Sequence, residues 1–138
     1  MAVEIRVSYQ GGLHTEAVHG PSGKILETDA PLDNQGRGES FSPTDLIATS
    51  LGACMLTIMG IAARERGIDM EGATIKVTKE MIADPQRRIH RLSAVVTMPH
   101  PLPEKQRKIL ERAGLTCPTH VTLGDRVEKP VEFIWPAE

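Results

Sequence analysis

The stretch Ser42–Gly67, SPTDLIATSLGACMLTIMGIAARERG, decides the fold. Ser42 can cap the free N–H groups of a helix start, Pro43 suits the first helical position, and Asp45 can reach back in a capping box. Gly67 supplies the C-terminal stop. The stretch therefore predicts a helix from Pro43 to about Arg66. From Leu46 to Ala63 it holds no charge, the pattern of a helix buried on all sides. A membrane span is the competing reading of such a run, but Thr49, Ser50, Gly52, Thr57 and Gly60 dilute it and amphipathic strands flank it. Its many small residues suit close packing against another backbone.

Working outward, Val3, Ile5, Val7 and Tyr9 alternate with Glu4, Arg6 and Ser8, the period of a half-buried first strand. Gln10-Gly11-Gly12 is a turn, Leu13–Val18 a second strand and Lys24–Thr28 a short third one; 33–40 is a loop. Thr74–Ile82 and Ile89–Met98 form a hairpin around Asp84-Pro85-Gln86. Pro103–Ala113 is a second helix that Gly114 stops, exposed along Glu104, Lys105, Lys108 and Arg112. Pro118 opens a short third helix, and Val131, Phe133 and Trp135 alternate in a final strand. The order β-β-β-α-β-β-α-α-β departs from βαβα alternation, so the fold class is α+β. A single domain over residues 1–138 is expected from this length. One copy's strands cannot enclose an all-round apolar helix, which leaves a second copy as its cover and predicts a homodimer.

Composition narrows the function. The formal net charge is −2 and only 3% of residues are aromatic, so nothing pulls on nucleic acid or anionic membranes and little can stack on bases. Arg87, Arg88 and Arg91 make only a local cluster. The N-terminus lacks the layout of a signal peptide, which gives a cytoplasmic expectation, with reduced thiols.

Two cysteines remain as candidates for chemistry. Cys54 lies mid-helix, where a cysteine often only fills space. Cys117 precedes Pro118 at a helix N-terminus, where free N–H groups favour a thiolate; His120, three residues on, could add positive charge. A loop cysteine acting only as a cap is the alternative. Together the two suggest a dithiol pair in which one attacks and the other resolves. A zinc site from Cys54, Cys117, His120 and His100 lacks ligand spacing. No Gly-x-Ser-x-Gly elbow occurs, and Gly36-Arg37-Gly38 lacks phosphate-loop spacing. His14, His19 and His90 read as isolated, exposed residues.

Ser42–Cys54 and Cys117-Pro118-Thr119-His120, with their separation and the element order, resemble the OsmC/Ohr family of osmotically inducible and organic-hydroperoxide-resistance proteins. The resemblance spans essentially the whole chain. It implies an intertwined homodimer with two cysteine-bearing helices packed centrally, and a cysteine-based peroxidase for organic hydroperoxides. Cys54 matches the peroxidatic cysteine and Cys117 the resolving one. The reductant it implies is a dithiol, often a lipoylated protein; no metal or organic cofactor is required. One departure stands out: well-characterised members pair a glutamate at the position of Thr44 with an arginine in the first turn, where this chain has Gln10–His14. Glu39 then becomes the candidate carboxylate and Arg37 or Arg88 the candidate cation, with solvated loop charges as the alternative. A non-catalytic dimer holding a small apolar ligand at its interface is the rival function.

Overall fold

The computed structural model describes all residues, Met1–Glu138. They fall into two compact units, Met1–Ile47 and Ala48–Glu138.

The first unit is an antiparallel sheet of β1 (Ile5–Gly11), β2 (His14–His19) and β3 (Ile25–Asp29), in that order. Gly11 and Gly12 take positive φ in the turn between β1 and β2, as the glycine pair requires. Register sets Val7 opposite Ala17 and Ala17 opposite Leu26, so β1, β2 and β3 share one apolar face. That face is not half-buried as the alternation predicts. Ile5, Val7, Tyr9 and Leu26 are 60, 63, 68 and 43% exposed, because this unit has no second layer to cover them. The predicted loop 33–40 begins inside a short 3₁₀ turn, Leu32–Asn34.

The capping box is present. The Ser42 N–H donates to Asp45 Oδ2 at 2.9 Å, and the Asp45 N–H to Ser42 Oγ at 3.1 Å. It starts α1 (Pro43–Arg64), which continues into the second unit. Past its end, the Gly67 N–H donates to the Arg64 carbonyl and the Ile68 N–H to that of Ala63, with Gly67 at φ +65. Glycine makes this left-handed stop cheap.

The second unit is built on β4 (Thr74–Ile82), β5 (Arg88–Thr97) and β6 (Val131–Ile134), with β4–β5 antiparallel and β5–β6 parallel. Leu92, Ala94 and Val96 of β5 point into the core, as do Leu51, Met55, Met59 and Ala63 of α1. At Gly52 the helix lies so close to β4 that an added Cβ would sit 3.1 Å from Val77 and 3.2 Å from Ile75. α2 (Glu104–Leu115) packs Leu110 into the same core. Gly114 does not stop α2. It lies inside the helix, where an added Cβ would sit 3.0 Å from Met59 Sδ; a side chain there would press on Met59, which would have to shift. α3 (Pro118–Leu123) follows directly.

α1 is long and apolar enough to cross a bilayer by length and composition. Its core-facing side is buried in this unit. One chain does not enclose its opposite side, as the sequence anticipates for a single copy: Ile47 and Ile61 remain 37 and 49% exposed there.

Candidate functional site

The second unit brings Cys54 and Cys117 together. α1 presents Cys54, half-buried at the edge of the core, one residue before the fully buried Met55. The break between α2 and α3 presents Cys117. With φ −64 and ψ 153 it is the extended N-cap of α3, and Pro118 takes the first helical position. The cap is the thiol itself, since Cys117 Sγ accepts the His120 N–H at 3.3 Å. Cys117 is wholly buried.

Each thiol is a hydrogen-bonding neighbour of the other, and the pair is electrostatically asymmetric. Burial pushes the Cys54 thiol up. The Thr119 hydroxyl, the Thr119 N–H and the Cys117 thiol outweigh it and bring Cys54 below the ordinary cysteine value. Burial also pushes Cys117 up; the His120 N–H pulls it down, Cys54 works against that pull, and the result stays above the ordinary value. A donor favours the thiolate because it bonds to the charged form more strongly than to the neutral one. At one pH the two sulfurs therefore differ: Cys54 holds more thiolate and Cys117 more thiol.

His120 does not supply the positive charge expected of it. Burial, and then the Lys129 ammonium, hold its imidazole below the ordinary histidine value, so it is neutral at neutral pH. Lys129 is fixed there by the carbonyls of Gly124 and Val127. His120 Nε2 is buried without a hydrogen-bond partner. The donors that lower Cys54 are all uncharged.

Arg37 and Glu39 lie in the first unit, lining a cavity of about 290 Å³ with Gly11, Gly12, His14 and Asp29. Arg88 opens β5, opposite Ile82. Its neighbour Arg91 is engaged by Glu80 and Glu128, at 3.1 and 3.0 Å.

His14 is not the isolated residue that its sequence context suggests. Its Nδ1 lies 2.6 Å from Asp29 Oδ1 and its Nε2 3.0 Å from Glu27 Oε1. Asp29, then Glu27, raise its pKa above the ordinary histidine value. The signal lay in pairing register, which sets His14 opposite Asp29. Thr119 was likewise missed. Its position, two residues beyond an N-cap cysteine, is where N–H groups and short hydroxyls gather around the cap.

The profile of the OsmC family, OsmC-like protein, matches residues 36–131. A solved structure from Psychrobacter arcticus 273-4, of a candidate osmotic stress induced and detoxification response protein, is 47% identical, covers 94% of this chain and 93% of its own, and superposes with a TM-score of 0.89. An organic hydroperoxide resistance protein OsmC from Legionella pneumophila is 14% identical, with 97% of each chain covered and a TM-score of 0.79. An organic hydroperoxide resistance protein candidate from Vibrio cholerae O1 biovar eltor, solved with captopril in one of its active sites, is 16% identical, covers 94% of this chain and 90% of its own, and gives a TM-score of 0.74. At such identities the last two speak to the fold alone. No curated protein matches the chain.

Proposed function

The chain belongs to the OsmC family, and from that premise we propose that it is a thiol-dependent peroxidase that reduces organic hydroperoxides. The observation that carries the proposal is the neighbouring pair of sulfurs with opposed shifts, Cys54 lowered and Cys117 raised. The lowered thiol is the nucleophile and the raised one keeps its proton until needed.

The Cys54 thiolate attacks the terminal oxygen of the hydroperoxide. The O–O bond breaks, the alkoxide leaves and takes a proton as the alcohol, and Cys54 becomes a sulfenic acid. The Cys117 sulfur then attacks Cys54 Sγ; a disulfide forms and the hydroxyl leaves with the Cys117 proton as water. An external dithiol reduces the disulfide by two exchange steps and is itself oxidised. Glu39 and Arg37 of the first unit are the candidate carboxylate and cation of this chemistry. A second chain completes the molecule in this reading: it covers the exposed Ile47 and Ile61 of α1 and the bare apolar face of the first sheet. A reducing cytoplasm is the compartment this cycle suits.

The rival reading is a dimer that binds a small apolar ligand without turnover. Thr44, in place of the glutamate, and a first turn without arginine favour it. Cumene hydroperoxide consumption with dithiothreitol decides between them: the enzyme is expected to turn over repeatedly and to prefer the organic peroxide to hydrogen peroxide, and loss no faster than in buffer would leave the binder.

Thr119 gives a sharper check. Removing its hydroxyl should raise the Cys54 pKa, because it deletes a donor to the thiolate. Thr119→Val is expected to slow iodoacetamide alkylation of Cys54 at pH 7 roughly tenfold, the effect of about 1.4 kcal/mol of lost stabilisation of the anion. The midpoint of the rate–pH profile should move to higher pH, and Thr119→Ser should restore it. An unmoved midpoint would remove Thr119 from the site.

A further inference from the structure

Away from the sulfurs, the second unit carries a concentration of positive charge in a chain of net charge −2. Lys105, Lys108, Ile109 and Arg112 follow one another at helical spacing along a face of α2, and Arg66 faces them from just beyond the end of α1; together they line a cavity of about 390 Å³. Two of the four cations have carboxylate partners: Lys108 with Glu104 at 3.2 Å and Arg66 with Glu65 at 3.8 Å. Lys105 and Arg112 have none, so the patch keeps an uncompensated positive charge over one apolar side chain, Ile109.

We propose that this basic face of α2 is the docking surface for an acidic protein segment that carries the reducing dithiol. The inference rests on the peroxidase reading, which requires an external dithiol to reopen a disulfide at Cys117, a residue with no exposed surface. α2 leads into that site, because the Arg112 carbonyl accepts the Thr116 N–H and Cys117 is the next residue. From Cys54 to Arg64, where α1 ends, is ~15 Å at the α-helical rise. That is the far end of the patch, and Arg112 at the near end is five residues from Cys117, so a partner seated along it reaches the sulfurs with a dithiol on a flexible arm, such as a lipoyl-lysine. Unpaired surface cations raise the encounter rate of an acidic partner and fix its orientation more than they add affinity. Nucleic acid fits less well, because four cations around a cavity with no aromatic side chain in its lining offer neither a backbone track nor a stacking platform.

The test uses two labelled peptides bearing dihydrolipoyl-lysine, one flanked by Asp and Glu and one by Asn and Gln. Binding is read by fluorescence anisotropy and turnover with cumene hydroperoxide. The acidic peptide is expected to bind, and to lower KM, roughly tenfold better than the neutral one at about 20 mM salt, and to lose that advantage at about 300 mM. The double variant Lys105→Glu/Arg112→Glu should abolish the advantage yet keep wild-type turnover with dithiothreitol. Equal binding of the two peptides, an advantage that survives the double variant, or displacement of the acidic peptide by a DNA duplex at equal concentration would overturn the proposal. If dithiothreitol itself supports no turnover, the peroxidase reading fails separately and the anisotropy comparison still decides the docking surface.

Discussion

Cys54→Ser is expected to lower hydroperoxide turnover by roughly a thousandfold or more, since a serine hydroxyl at the same place is almost wholly protonated and far less nucleophilic. Cys117→Ser should behave differently. Cys54 still attacks and consumes one equivalent, but no neighbouring thiol can then displace the sulfenic hydroxyl. Turnover becomes dependent on direct attack by the external thiol, and excess peroxide drives Cys54 onward to sulfinic acid, a gain of about 32 Da. The asymmetry between the variants follows from the opposed shifts, with Cys54 the better anion and Cys117 the better-protonated partner. Stopped-flow peroxide loss, with intact mass taken at each stage, separates them. Equal single-turnover amplitudes in the two variants would remove the assignment of roles.

Ile61→Arg is the second large effect. α1 buries Leu51, Met55, Met59 and Ala63 in its own unit but leaves Ile61 49% exposed on its other side. If a second chain covers that side, a guanidinium there must be desolvated against apolar surface, which costs several kcal/mol. About 4 kcal/mol would weaken self-association roughly a thousandfold. Sedimentation at micromolar concentration should give twice the chain mass for the wild type and the mass of one chain for the variant, with a lower melting temperature. A wild type that sediments as a single chain would refute the paired assembly.

Much of the fold is legible in the sequence. The element order, the capping box of Ser42 and Asp45, the Gly67 stop and the N-cap place of Cys117 depend on near neighbours, and near neighbours are what a sequence displays. Gly114 shows where that logic ends. A glycine after an apolar helical stretch looks like a stop, but here its missing side chain admits Met59, and only the packing of α1 on α2 distinguishes the two roles. Alternation in β1 marked an apolar face without saying what covers it, so its exposure in one chain was invisible. His14 and Thr119 needed contacts across the fold, the first through the register of β2 with β3 and the second through the approach of α1 to α3. His120 needed its burial, and then Lys129 brought back by the turn after α3, to be neutral rather than a cation.

If the two sulfurs form one redox unit, intact mass after a single equivalent of cumene hydroperoxide will register it. The expected result is a loss of about 2 Da per chain, no thiol left to alkylate and full recovery with dithiothreitol. Two alkylatable thiols and an unchanged mass after the same treatment would contradict it.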